Sequence, residues 1–118
     1  MRRDLAAVGG VILKSGKLLL ADGQLAGTPS ILFDAVAIVA SDAGCKLLLN
    51  EGAAIDFAKD AFGHLKAIGF TPEAKPLLDK AGVETDAGIV DVANNAGRFV
   101  EPARTRQWGR EKKVRLLA

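Results

Sequence analysis

The stretch FDAVAIVASDAGCKLLLNEGAAIDFAKDAFGHLKAIGF, residues Phe33–Phe70, decides the fold. Ala35–Ala40 is an uninterrupted apolar run, which is typical of a strand covered on both faces in a parallel sheet. From Ala43 to Phe62 the apolar residues recur with a helical period, so we predict an amphipathic helix. Its apolar face comprises Ala54, Phe57, Ala58, Ala61 and Phe62. Leu65–Phe70 is a second apolar strand, and the whole forms a right-handed βαβ unit.

The segments before this unit are short. Val11–Leu13 and Leu18–Leu20 are apolar runs around a polar turn and predict a hairpin. An open α/β domain normally starts with a strand and a crossover helix, but here the first convincing βαβ unit begins only at residue 35. We therefore predict one α/β domain over residues 1–118, with a mostly parallel sheet that lacks a first βα unit.

The segments after the unit predict further elements. A short helix with apolar residues at a helical period ends at Gly82, with Pro76 in its first turn. One more strand is expected around Gly88-Ile89-Val90, followed by a loop at Asn94–Gly97. The basic tail, about 98–118, is expected to be a terminal helix that carries Trp108.

Composition restricts the class of protein. The chain has 118 residues, of which 49% are hydrophobic, so one domain with a real core is expected. No apolar run approaches the roughly 18 to 20 residues of a membrane span, and we predict neither membrane binding nor a signal peptide. A single cysteine excludes an internal disulfide framework. The expected location is the cytoplasm.

Charge is distributed unevenly along the chain. Seven Lys and Arg from residue 98 onward stand against two glutamates, a net charge of +5, whereas residues 1–97 carry −3 of the total of +2. Such a tail could bind nucleic acid, an acidic partner or the body of its own domain. Trp108 offers a single aromatic side chain and no stacking platform, so we expect no nucleic-acid binding.

Few residues are candidates for chemistry. Cys45, predicted in the first turn of the helix, is the one weak candidate nucleophile, although a buried structural thiol is the favoured interpretation. His64 lies at the far end of the helix and cannot build a metal site alone. Asp34, Asp42 and Asp91 flank strand ends, where α/β active sites collect, but Asp42 is also a ready N-cap.

Phosphate-binding loops are excluded by spacing. Gly23 and Gly27 resemble a glycine-rich loop, but no lysine follows the second glycine and no G-x-G-x-x-G pattern occurs. We therefore predict no cofactor-binding and no metal-binding residues in this chain.

Three segments resemble one known family. LADGQLAGTPSILFDAVAIVAS, DFAKDAFGHLKAIGF and RTRQWGREKKVRLLA are similar to the C-terminal domain of large-subunit catalases. That resemblance implies a flavodoxin-like three-layer sandwich of the DJ-1/PfpI (class I glutamine amidotransferase-like) superfamily. It also implies a parent enzyme that disproportionates hydrogen peroxide with haem, which a tyrosine holds in a separate β-barrel domain. This chain contains no tyrosine, one histidine and one methionine, so we expect it to bind no haem.

The sequence departs from the enzymes of that superfamily at two places. Active relatives carry a nucleophilic cysteine at the turn after the strand matched by Leu65–Gly69, where this chain has Ile68-Gly69-Phe70-Thr71-Pro72. The Gly-Gly backbone donors that follow the preceding strand in many relatives are replaced by Ser41-Asp42-Ala43. The resemblance therefore transfers no catalytic residue.

The sequence favours a non-catalytic accessory domain that stabilises an oligomer. Its expected partners are further copies of itself and a catalase catalytic domain. Two alternatives stay open: a free-standing DJ-1-like stress or chaperone module, and a small enzyme that uses Cys45.

Overall fold

The computed structural model describes residues 11–12, 18–19, 30 and 33–117, with the backbone alone for 11–12, 18–19 and 115–117. The predicted hairpin is confirmed in its strands: β1 (Val11–Ile12) pairs antiparallel with β2 (Leu18–Leu19). Its turn lies outside the described residues, as do the two glycines of the rejected phosphate loop.

The core of the domain is a parallel sheet in the order β3-β4-β5. Its strands are β3 (Ala35–Ile38), β4 (Ala67–Phe70) and β5 (Ile89–Asp91). The register aligns Val36 with Ile68 and Ile68 with Ile89, so these three side chains share one face. The predicted α/β fold with a mostly parallel sheet is confirmed, and the architecture is compatible with a flavodoxin-like sandwich that lacks a first unit.

The crossover between β3 and β4 contains two helices, so the single predicted helix over 43–62 is wrong. They are α1 (Asp42–Leu48) and α2 (Gly52–Gly63). The break has a local cause: the backbone N–H groups of Asn50 and Glu51 donate to carbonyls three residues back, and glycine at position 52 is a poor helix former. The predicted apolar face of α2 is nevertheless correct, since Ala54, Ala58, Ala61 and Phe62 are buried.

One main cluster fills the space between the sheet and the helices of its first face. It joins Val36, Ile68 and Ile89 of the strands to Ala58, Ala61, Phe62, Leu78, Ala81 and Val83. The last three come from α3 (Lys75–Lys80) and its C-terminal turn. Pro76 lies in the first turn of α3, and Gly82 takes a positive φ of 77° after its end, as predicted.

The second face of the sheet is covered by the chain after β5. Here α4 (Val92–Asn95), a 3₁₀ turn (Ala96–Phe99) and α5 (Val100–Ala103) follow one another, so the predicted loop at 94–97 is wrong. The tail ends in a 3₁₀ turn (Trp108–Arg110) and α6 (Glu111–Leu117), so Trp108 precedes the terminal helix rather than lying within it.

Candidate functional site

The carboxyl ends of β3, β4 and β5 form the edge where ligands bind in open parallel sheets. Thr71 follows β4 and spans the gap to β3. Its hydroxyl accepts from the Ala40 N–H at 3.1 Å and donates to the Ala40 carbonyl at 3.0 Å, while its own N–H donates to Ile38 O at 3.1 Å. The crevice between these two strands is therefore closed by hydrogen bonds within the chain.

Apolar side chains cover the second face of β4 next to this edge. A Cβ added to Gly69 would lie only 2.5 Å from Val92 Cγ1 and 3.3 Å from Phe99 Cζ. Glycine is therefore required here by close packing, because any larger residue would displace Val92. The second face of the sheet at Gly69 is therefore covered by side chains.

The polar residues at this edge serve as helix caps. Ser41 caps α1, since its Oγ accepts from the Gly44 N–H at 3.0 Å, so Ser41 and not Asp42 is the N-cap. Asp91 caps α4 by accepting from the N–H groups of Ala93 and Asn94. Asp34 precedes β3 and lies at the opposite, amino end of the sheet, so the three aspartates are not brought together.

Cys45 lies in the first turn of α1, as predicted, and its side chain is buried. Its exposed fraction is 2%, and it packs with Ala54 and Leu77 in a second, smaller cluster. His64 follows α2 at the other end of the crossover, and its Nδ1 is buried with no hydrogen-bond partner among the described residues. The structure therefore separates the two side chains by the length of α2. Among the described residues, no three His, Cys, Asp or Glu side chains are close enough to hold a metal ion.

His64 borders an open groove of about 590 Å³ at the amino end of the sheet. The groove lies between the ends of α2 and α3 and is bordered by Val114 of α6. Four charged side chains line it: Asp56, Lys59, Asp60 and Lys80.

Within the described part of the chain, no helix is long and apolar enough to cross a bilayer.

The basic tail docks on its own domain, one of the three possibilities that its charge left open. Arg110 is buried and pairs with Asp86, with 2.7 Å between Arg110 Nε and Asp86 Oδ2. The sequence did not predict a structural role for Arg110, Asp86 or Thr71. The only local signal was the Asp86-Ala87-Gly88 turn, in which Asp86 Oδ1 accepts from the Gly88 N–H.

Fold and site together define an open parallel α/β domain in which the described polar residues at the carboxyl edge bond to the backbone of their own chain. Residues 10–105 match the family described as the C-terminal domain found in long catalases, and the chain belongs to that family. The match ends before most of RTRQWGREKKVRLLA, the third segment on which the resemblance rested.

Curated relatives agree with this assignment. The chain is 39% identical to Catalase C of Rhizobium meliloti over 92% of its length, and 31% identical to Catalase-B of Dictyostelium discoideum over 84%. It is 35% identical to Catalase HPII of Mycobacterium avium over 77%. The aligned part covers only 16%, 15% and 13% of these relatives, so the chain spans a small fraction of each.

Proposed function

We propose that this chain is a non-catalytic accessory domain of the catalase type, which buries surface against other protein units and stabilises an oligomer. The observation that carries this proposal is that the described residues at the carboxyl edge bond and pack among themselves. The Thr71 hydroxyl makes two hydrogen bonds with the backbone of Ala40. Val92 and Phe99 fill the space over Gly69. An active α/β enzyme needs room for substrate at that edge.

The proposal includes membership of the DJ-1/PfpI superfamily. The turn after β4, where active members carry a nucleophilic cysteine, is here Thr71-Pro72, and Pro72 begins a 3₁₀ turn that leads into α3. This departure supports a superfamily member in which the residues at the position of the nucleophile have a structural role. The cytoplasm remains the proposed location.

Haem, which the catalase family implies, does not fit the part of the chain that the structure describes. Cys45 lies among Ala54 and Leu77 with 2% exposure, so an iron ligand there would have to displace the core. His64 borders a groove lined by four charged side chains, which is unlike the apolar slot that a macrocycle requires. We therefore propose that peroxide chemistry, where this domain supports it, is performed by a separate catalytic domain.

A hemin titration tests the non-catalytic part of the proposal. Adding hemin to the folded chain is expected to give no saturable shift of the Soret band and no decomposition of hydrogen peroxide beyond that of free hemin. Chain unfolded in urea is the control for nonspecific haem association. A stoichiometric complex that turns over peroxide would overturn the proposal.

The oligomeric part of the proposal concerns the outer edge of β3. Within the described residues, β3 has β4 as its sole neighbour, and the run from Ala35 to Ala40 contains no charge, proline or bulge to prevent pairing. Ala37 and Val39 are exposed on the second face, whereas Gly69 on the adjacent strand is covered. A second copy of the chain is the proposed occupant of this edge.

The pleat of β3 restricts such a pair to registers in which opposite residues share a face, and a two-fold axis through Ala37 is the proposed one. Opposite residues of an antiparallel pair must share a face, so a two-fold axis through Ala37 sets Val36 opposite Ile38 of the second copy. Val36 and Ile38 both pack toward the main cluster, which would then continue across the axis. Ala37 lies at the axis, where its small side chain permits close approach.

Size exclusion with light scattering at micromolar concentration tests this pairing. The chain is expected to elute as a dimer or larger assembly, and Ala37→Lys is expected to shift it toward the monomer. Ala96→Lys, at an exposed position of the second-face layer, is the matched control. A monomer with a concentration-independent melting midpoint would show that β3 does not pair with a second copy.

A free-standing chaperone module is the second candidate. Four large apolar side chains are exposed in the described residues: Val39, Leu47, Val100 and Trp108. Exposed apolar surface is what capture of unfolded chains requires. Suppression of the aggregation of a heated client protein by substoichiometric chain would favour this candidate, and no effect on aggregation would favour the accessory domain.

A further inference from the structure

The segment Gln107–Val114, here called the strap, lies across the amino ends of β4 and β5. Its first contact is the N–H of Gln107, which donates to Leu65 O at 2.7 Å. At its other end Val114 packs against the main cluster, and the neighbouring Lys113 pairs with Glu84. The strap therefore joins the end of α2, the start of β4 and the approach to β5.

Arg110 is the central anchor of the strap. Its Nε and Nη2 donate to the two carboxylate oxygens of Asp86 at 2.7 and 3.0 Å. Its Nη1 donates to the carbonyls of Phe62 and Lys66 at 3.1 and 2.9 Å, and its guanidinium lies 4.4 Å above the Phe62 ring. One side chain thus makes four hydrogen bonds and a cation–π contact.

Backbone carbonyls around Leu65 accept the hydrogen bonds of the strap. Leu65 is a non-glycine residue with a φ of 63°, an unfavourable left-handed conformation that redirects the chain between α2 and β4. The carbonyls of Phe62, Leu65 and Lys66, on both sides of this turn, all accept from the strap. A Cβ on Gly88 would lie 2.6 Å from Gln107 Cγ, so glycine is required for the strap to approach.

Polar contacts hold the strap far more than apolar burial does. Among its residues Arg110 alone is buried, whereas Trp108 is 66% exposed. The main cluster draws its buried members from residues 36–89, and the strap adds the partly buried Val114.

We propose that the strap is a releasable element, which undocks from the amino end of the sheet as one unit while β3, β4 and β5 stay folded. Segments with few buried apolar contacts open at a lower free energy than the global fold. Release uncovers the Phe62 ring and the three carbonyls, and it removes Val114 from the border of the groove. The strap is thus a conformational device, and the inference does not depend on the proposed function.

Hydrogen exchange of the unmodified protein tests the proposal directly. The Gln107 N–H bonds across the docking interface, while the Ile68 N–H bonds to Gly88 within the sheet. We expect Gln107 to exchange at least about tenfold faster than Ile68, with little dependence on low concentrations of urea. A common exchange free energy and a common urea slope for both amides would show one cooperative unit and would overturn the proposal.

Substitution of the anchor gives the second test. Arg110→Ala is expected to accelerate exchange at Gln107 by about tenfold or more, while Ile68 still exchanges more slowly than Gln107 because the sheet stays folded. Arg110→Lys, which keeps the charge but loses the guanidinium fork, should accelerate it less. Lys112→Ala, at an exposed strap position, is the matched control. A common exchange free energy for both amides in Arg110→Ala, or loss of the folded sheet in that variant, would contradict a separable strap.

Discussion

The side chain of Thr71 acts as a bridge between two strand ends. Thr71 is partly buried, and its hydroxyl accepts from the N–H of Ala40 and donates to the carbonyl of the same residue. Valine has nearly the same shape but would leave both backbone groups of Ala40 without that partner.

Thr71→Val is therefore expected to lower the free energy of unfolding by about 1 to 2 kcal/mol, since two partly buried hydrogen bonds are lost. Urea titration followed by circular dichroism measures this change. Thr71→Ser retains the hydroxyl and is the matched control. Equal losses in both variants would show that the methyl group matters and the bridge does not.

Cys45 tests the interpretation of the lone thiol. It is a free cysteine with 2% exposure, so we expect slow alkylation by iodoacetamide in the folded state and fast alkylation in urea. Cys45→Ser should lower the free energy of unfolding by about 1 to 2 kcal/mol, because a hydroxyl replaces a thiol in an apolar cluster. Similar alkylation rates in both states would instead favour the small cysteine enzyme.

At the scale of single elements, hydrophobic period identified most of the fold. The apolar run of β3, the buried face of α2 and the glycine after α3 were all predictable, because each is a local property of the sequence. Element boundaries were less accurate: β4 begins at Ala67 rather than Leu65, since Leu65 takes the left-handed turn. The helix at 92–95 was missed because its start depends on the side chain of Asp91.

Asp91→Ala removes that cap and also the bond of 2.8 Å from Asn94 Nδ2. It is expected to lower the free energy of unfolding by about 1 kcal/mol, as for other lost N-caps. Amides of residues 93–99 should exchange faster than in the parent chain. Asp91→Asn, which keeps an acceptor oxygen, is the control, and an unchanged exchange pattern in Asp91→Ala would contradict the importance of the cap.

At the scale of the whole molecule, the pairing of Arg110 with Asp86 makes stability depend on pH. Burial would raise the pKa of Asp86, but the hydrogen bonds from Arg110 and Gly88 and the charges of Arg110 and Lys113 outweigh burial and lower this pKa below 3.8. A carboxylate with a lowered folded-state pKa adds stability above its unfolded pKa. That stability is lost as the pH falls below about 4 toward the folded value.

Asp86→Asn is expected to cost up to about 3 kcal/mol at pH 7, because it leaves a buried guanidinium without its counter-charge. The difference from the parent chain should shrink between pH 7 and pH 3, because Asp86 of the unfolded parent chain binds a proton near the ordinary aspartate pKa of about 3.9. Urea titrations of both proteins at the two pH values measure it. A difference that is the same at pH 7 and pH 3 would contradict the role of the ionised pair.

Long-range contacts explain why the docking of the strap and the Thr71 bridge could not be predicted from the sequence. Arg110 bonds to residues 24 to 48 positions away, and Thr71 bonds to a residue 31 positions away. No local period or short motif records such partners, so they emerge only when the sheet order is known. The family resemblance supplied the architecture, and the packing of individual side chains required the structure.

The position of Trp108 gives this protein an optical reporter of its own. The chain has one tryptophan and no tyrosine, and that tryptophan lies in the strap, two residues before Arg110. Under 295 nm excitation, ultraviolet emission therefore comes from a single indole on the element that we expect to move. Its fluorescence anisotropy should fall as the strap detaches, at a lower temperature than the one at which ellipticity is lost. Two parts of one small molecule can thus be observed separately without any attached label.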